Sequence, residues 1–190
     1  MNKSQLREFF LARQKSLGPE ERQNLSRKIA EKFFDSFDLS NVKALHCFLP
    51  IEKFNEVNTM QIFEKLWKDF PNVKTFVPKI NFQIGQIESV RFAEEMQLRE
   101  NKWKIKEPEE NESIQPTEID MILVPLLCFD LRGFRIGYGK GFYDKFLKKC
   151  RRDAEKVGLS YFEPVEKISD IREYDVKLDF CITPEKIFKF

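Results

Sequence analysis

Apolar residues recur along this chain in two rhythms, and each change of rhythm marks a new element. Leu6, Phe9, Phe10 and Arg13 fall at helical spacing, which predicts a polar-faced helix over residues 3–16. Gly18-Pro19 interrupts the pattern, and Pro19 suits the first position of a second helix, where its missing N–H has no partner to lose. Leu25, Ile29, Phe33 and Phe37 step by four and give that helix one apolar face. Val42 to Leu49 (V-K-A-L-H-C-F-L) predicts a first strand, stopped by Pro50. Beyond a loop, Asn58 or Thr59 can cap a third helix whose face is Phe63, Leu66, Trp67 and Phe70, and Pro71 ends it.

Lys74 to Ile80 and Ile87 to Phe92 predict two further strands. Residues 93–118 are charged and punctuated by proline, with Trp103 isolated among them. Ile119 to Phe129 is the most apolar run and suits a strand buried on both faces, at least up to Pro125. A glycine-rich loop follows, then a helix expected from Phe142 to Arg152, then short strands at Val157 to Phe162 and Asp179 to Thr183. Strands joined by crossover helices imply a mostly parallel sheet with helices on both faces. The expectation is a single three-layer α/β domain over residues 1–190.

Composition narrows the function. Apolar residues at 42% and charged residues at 34% give a globular balance, and 190 residues suit one full-sized core. The 20 phenylalanines fall in the periodic segments, so most are expected in the core. Lys+Arg 33 against Asp+Glu 31 leaves a net charge of +2, which argues against a broad nucleic-acid or membrane surface but permits a local basic pocket for an anion. Cys47, Cys128, Cys150 and Cys181 are scattered singly, and with one histidine in the chain zinc-ligand spacing is absent. They read as reduced structural thiols, at least two of them in strands. His46, inside a predicted strand, reads as a satisfied core or edge histidine rather than a base. No stretch resembles a signal peptide, and no run approaches the roughly 18 apolar residues of a membrane helix. A soluble, cytoplasmic, monomeric protein is expected.

The chemistry concentrates in Arg135 to Asp144, R-I-G-Y-G-K-G-F-Y-D. Gly137, Gly139 and Gly141 alternate, so the backbone there can adopt positive φ and approach a ligand closely. Successive N–H groups in such a turn make an anion-binding concavity, and the following helix adds its positive end. Lys140 and Arg135 bring fixed charge to the same place. The loop fits neither G-x-x-x-x-G-K-[ST] nor G-x-G-x-x-G. Asp144 can supply the oxygen ligand that the first pattern takes from a hydroxyl, since magnesium prefers oxygens bridged to phosphate. Spacing alone leaves two readings open, a phosphate cradle and a tight strand-to-helix turn with solvated charges.

The loop and its flanks, V-P-L-L-C-F-D-L-R-G-F-R-I-G-Y-G-K-G-F-Y-D-K-F-L, resemble the signature of the 5-formyltetrahydrofolate cyclo-ligase family. Further elements follow in the family's order. These are K-S-Q-L-R from Lys3, F-L-P with E-V-N-T from Glu56, V-P-K at Val77, W-K-I-K-E-P at Trp103 and Y-D-V-K-L-D near the end. The resemblance implies a NagB/RpiA/CoA-transferase-like fold, with ATP and Mg2+ as cofactors and 5-formyltetrahydrofolate as the small-molecule substrate. It implies ring closure to 5,10-methenyltetrahydrofolate with release of ADP and phosphate.

Carried over by position, the ATP contacts are Lys3, Ser4, Gln5, Leu6 and Arg7 together with Arg135, Ile136, Gly137, Tyr138, Gly139, Lys140, Gly141, Phe142 and Tyr143. Lys140, Arg135 and Tyr143 would carry the catalysis. Leu49, Glu56, Trp103 and residues Tyr138 to Phe142 would border the folate, with Glu56 gripping the pterin edge and Trp103 stacking on a flat ring. Asp144 and Asp175 would hold the metal. The sequence departs from the family pattern at Phe142, Asp170 and Tyr174, where tyrosine, proline and histidine are common. Two rivals remain from the residues alone. One is an enzyme of a related α/β fold acting on a sugar phosphate or coenzyme A ester; the other is a nucleotide- or RNA-associated binding protein without turnover.

Overall fold

A computed structural model describes residues 1–101, 106–109 and 112–190, so Trp103 lies outside the described residues. Three helices precede or follow the first strand: α1 (Lys3–Ser16), α2 (Pro19–Ser36) and α3 (Met60–Asp69). Asn2 opens α1 with a reciprocal cap, accepting from the Gln5 amide while its own amide donates to the Gln5 side chain. Pro19 occupies the first turn of α2 as expected. Thr59 precedes α3 but spends its hydroxyl on the Phe48 carbonyl at 2.6 Å, and Asn58 accepts from the Met60 amide instead.

The strands are β1 (Ala44–Cys47), β2 (Lys74–Asn81), β3 (Gln86–Arg91), β4 (Leu98–Glu100), β5 (Lys106–Pro108), β6 (Ser113–Ile114), β7 (Met121–Pro125), β8 (Cys128–Phe129), β9 (Arg135–Ile136), β10 (Glu155–Leu159), β11 (Phe180–Ile182) and β12 (Ile187–Lys189). Eight of them form one sheet in the order β12-β11-β10-β7-β1-β2-β3-β6. The centre, from β11 to β2, is parallel, while β12, β3 and β6 add antiparallel margins. The mostly parallel sheet expected from the sequence is therefore present, with a hairpin rather than a crossover joining β2 to β3.

Side-chain alternation divides the sheet into two cores. Leu45, Cys47, Met121, Leu123 and Val157 face α1, α2 and α3, whereas Ile122 and Val124 face the fourth helix, α4 (Phe142–Leu147). Central strands covered on both sides read as unbroken apolar runs, which is why M-I-L-V in β7 carries no polar residue. All four cysteines are free and buried, with Cys47, Cys128 and Cys181 in strands. No described helix is long and apolar enough to cross a membrane.

Four expectations change in detail. The first strand is shorter than Val42 to Leu49, because the chain turns away after Cys47 toward a 3-10 turn at Glu52–Phe54. The apolar run from Ile119 divides at Leu126 and re-enters as the separate strand β8. Helix α4 stops at Leu147, and Lys148 to Cys150 close it as turns. Nine of the 20 phenylalanines are buried, but Phe9 is 53% exposed, since the stripe that α1 buries is Leu6, Phe10 and Gln14.

Candidate active site

Strand β7 delivers the chain to the carboxyl edge of the sheet, where ligands of open α/β sheets bind. There β8 and β9 pair antiparallel, Cys128 opposite Ile136 and Phe129 opposite Arg135. Asp130, wholly buried, governs the turn between them. Its two oxygens accept from the amides of Arg132, Phe134 and Ile168 and from the Arg132 guanidinium, at 2.6 to 3.1 Å. The glycine-rich loop then runs from β9 into α4. Gly139 (φ +90°) and Gly141 (φ +68°) occupy the left-handed region, as the alternation suggested. Gly137 does not, so only two of the three use that freedom.

Two distant segments close on this loop. From α1, Arg7 donates through Nε to the Gly137 carbonyl at 3.1 Å. A Cβ at position 139 would stand 3.0 Å from the same Nε, so glycine there also admits the guanidinium. Lys3, one turn earlier, pairs with Asp175, and its amide donates to Asp170 at 2.7 Å. Arg135, 9% exposed, donates to Asp144 at 2.9 Å and to the Val176 carbonyl at 2.6 Å. Asp144 in turn accepts from the Val176 amide at 3.1 Å. Burial pulls the Arg135 guanidinium below its ordinary value, while Asp144 beside it favours its charge. Lys140 is exposed, with no hydrogen bond or ion pair among the described residues. Three cations are thus fixed around the loop, and a fourth projects from it.

The other side of the loop meets the segment after β1. Tyr138 stacks on Phe54 at 4.7 Å and shares Gln14 with it, whose Nε2 donates to the Phe54 carbonyl and the Tyr138 hydroxyl. Glu56, 6% exposed, accepts from the Ile51 amide at 2.7 Å. Leu49, Pro50 and Ile51 line a cleft of about 170 Å³ beside it, with Glu52 and Lys106 bridged across the wall at 2.9 Å. Tyr143 enters from the first turn of α4, where Glu56 and Arg135 both act on its phenol. Burial raises that phenol well above its ordinary value, so it remains protonated.

Lys3, Arg7, Arg135, Gly137 to Gly139, Asp144 and Asp175 therefore converge, although up to 172 residues separate them. Glu56, Leu49 and Tyr138 form the neighbouring wall. Of the remaining expected contacts, Leu6 is packed in the core, Gln5 is occupied in the helix cap, and Phe142 lies edge-on to Phe82 at 5.8 Å. Gln14, Phe54 and Asp130 escaped the sequence reading as site residues. Gln14 carried a signal, because a polar residue continues the buried stripe of Leu6 and Phe10.

Residues 1–184 match the model of the 5-formyltetrahydrofolate cyclo-ligase family. The chain belongs to this family. Membership places it among ligases of folate metabolism. It is 30% identical to the 5-formyltetrahydrofolate cyclo-ligase of Mus musculus, over 92% of this chain and 89% of that one. The Escherichia coli K12 protein of the same name is 26% identical, over 94% and 98%. Among solved structures, the 5,10-methenyltetrahydrofolate synthetase of Aquifex aeolicus superposes with a TM-score of 0.84 at 30% identity, covering all of this chain and 93% of that one. The synthetase from Mycoplasma pneumoniae gives 0.77 at 27%, over 97% and 99%.

Within this cyclo-ligase fold, Glu56 carries a measurable signature. Burial pushes its carboxyl up to about 7, with the Ile51 amide and Tyr138 hydroxyl pulling the other way. A raised carboxyl binds its proton more tightly in the folded state. Its contribution to stability is full below the unfolded value near 4.5 and is lost as pH rises through about 7. Glu56→Gln is therefore expected to match the parent at pH 4.5 and to be more stable by about 1–3 kcal/mol at pH 8. Urea unfolding at both pH values checks this; equal stability at pH 8 would remove the buried, reluctant charge.

Proposed function

We propose that this chain converts 5-formyltetrahydrofolate to 5,10-methenyltetrahydrofolate with ATP and magnesium, releasing ADP and phosphate. The observation that carries the proposal is the convergence of Lys3, Arg7, Arg135 and Lys140 on one glycine loop whose other wall is Glu56 and Leu49. Four cations suit a triphosphate, and a buried carboxylate suits the donor-rich edge of a pterin.

The formyl oxygen is a poor leaving group until it is phosphorylated. It takes the γ-phosphoryl, and ADP departs with the electrons of the broken P–O bond. N10 then attacks the activated carbon, loses its proton, and phosphate leaves. Phosphoryl transfer asks for alignment and charge neutralisation rather than a nucleophilic side chain. Lys3, Arg7, Arg135 and Lys140 supply the charge, with Lys140 nearest the transferred group. Glu56 orients the pterin, and the Tyr143 hydroxyl donates to an oxygen that gains charge. Trp103 and residues Tyr138 to Phe142 border the folate.

Asp144 and Asp175 suit magnesium by donor type. Among the described residues no three His, Cys, Asp or Glu side chains gather into a cage, and nucleotide-bound magnesium typically uses one or two carboxylates with phosphate oxygens. The ion neutralises phosphate charge when bound. We place the enzyme in the cytoplasm as a monomer.

Purified protein given 5-formyltetrahydrofolate, ATP and magnesium is expected to develop the near-ultraviolet absorbance of the methenyl product. Without ATP the absorbance should stay flat. No signal with intact protein and authentic folate would end this proposal, and signal without ATP would remove the phosphoryl step.

A further inference from the structure

A buried polar chain lies behind the glycine loop. Leu45 and Cys47 of β1 face α1 to α3, so His46 between them points to the opposite side, beneath α4. There its ring is fully buried, 4.7 Å from the Phe146 ring. Nδ1 lies 2.7 Å from Ser89 Oγ on β3, and Nε2 lies 3.4 Å from the Tyr143 hydroxyl. Ser89 is itself 1% exposed. An aliphatic side chain would fill this part of the core without asking for partners, so the imidazole and serine form a matched polar pair. Burial also holds the imidazole well below its ordinary value, near 3, which keeps it neutral. A neutral imidazole carries one N–H and one accepting nitrogen, and which is which depends on its partners.

We propose that His46 is a positioning residue for Tyr143. Ser89 donates its hydroxyl to Nδ1, which fixes the imidazole as the Nε2–H tautomer, and Nε2–H donates to the Tyr143 oxygen. The Tyr143 proton is then left free to turn into the site as a donor. The opposite tautomer would accept that proton at Nε2 and withdraw it. No bond to carbon or phosphorus is made or broken by His46, and the proton stays on the phenol. The 3.4 Å contact is long for a hydrogen bond; contacts of this kind tighten when substrate loads the site. The inference rests on the role given to Tyr143 under the proposed function.

His46 is the single histidine of the chain, so labelling histidine with nitrogen-15 yields one imidazole. Its two nitrogen shifts should report a neutral Nε2–H ring in the free, full-length protein at neutral pH. Ser89→Ala should turn that pure form into a mixture. A protonated ring, or the Nδ1–H form, in the parent protein would overturn the proposal.

In the cyclisation assay His46→Phe should lower kcat roughly 10- to 100-fold with KM for ATP unchanged, less than the ~10²–10³ that follows loss of a direct donor. His46→Gln, whose amide reaches the Nε2 position, should recover most of the loss. In a Tyr143→Phe background, His46→Phe should cost nothing further. Losses that simply multiply, or no rescue by glutamine, would assign His46 to packing and overturn the proposal. If His46→Phe fails to fold, Ser89→Ala carries the same comparison against Tyr143→Phe. A parent protein without any cyclisation would defeat the proposed function instead, and the nitrogen shifts would still decide the tautomer.

Discussion

Lys140→Ala is expected to lower kcat by at least about a thousandfold while leaving the melting temperature unchanged. The magnitude follows from what one cation contributes to phosphoryl transfer, on the order of 10³–10⁵ where it meets charge that develops only in the transition state. The specificity follows from the loop. Lys140 is exposed, stands between Gly139 and Gly141, and has no hydrogen bond or ion pair among the described residues. Removing it therefore breaks nothing in the folded protein. Lys3 and Arg135 are different, because each is already bound to a carboxylate and supports the structure as well. A loss of kcat with little change in KM for ATP would mark a group acting on the transferred phosphoryl. A large rise in KM with kcat retained would make it a binding contact. Undiminished activity would take the loop lysine out of the mechanism.

The ion pairs around the loop suggest why ligand-free protein tolerates so many charges in one place. Asp175 holds Lys3, and Asp144 holds the buried Arg135, so two of the four cations proposed for phosphate each have beside them a carboxylate proposed for the metal. A buried or half-buried charge without a partner costs several kcal/mol, and pairing offsets that cost. Nucleotide and magnesium arriving together would exchange these partners without leaving any charge alone. Either one arriving by itself would satisfy only half of each pair.

The helices and central strands were legible in the sequence because their burial is periodic. Leu25, Ile29 and Phe33 specify α2, and the unbroken run M-I-L-V specifies a doubly covered strand. Short edge elements were not. β12 has three residues, and β8 was masked inside a longer apolar run whose division at Leu126 leaves no gap in hydrophobicity. Phe9 misled for a related reason. Phe9 stands about 100° round the helix from Phe10, off the buried stripe, which Gln14, not an apolar residue, continues. For the site, the residues alone narrowed the loop to two readings, a phosphate cradle or a tight strand-to-helix turn with solvated charges. The pairing of Lys3 with Asp175 across the chain lies beyond any spacing argument, since only the folded topology brings those termini together. His46 was correctly expected to be satisfied in the core, but nothing local named Tyr143 as its neighbour.

Asp130→Ala is expected to be the most destabilising single change at the site, by about 3–5 kcal/mol, or on the order of 10 °C in melting temperature for a chain of this size. The cost does not come chiefly from the ion pair. Arg132 is 40% exposed and can turn its charge to water, whereas Asp130 is wholly buried. It comes from the amides of Arg132, Phe134 and Ile168, which lose their acceptor at once, the last of them in a buried position. Each abandoned buried donor costs about 1–3 kcal/mol. Asp130→Asn keeps the shape but turns an NH2 group toward donors, so it should recover only part of the loss. The functional consequence follows from position. The turn that Asp130 closes joins β8 to β9, and β9 places Arg135 against Asp144. Assayed well below its melting temperature, Asp130→Ala should therefore still lose kcat/KM, because the loop would rest on a loosened hairpin. Full activity in a folded but destabilised variant would show that the loop is held from α1 and Asp144 alone.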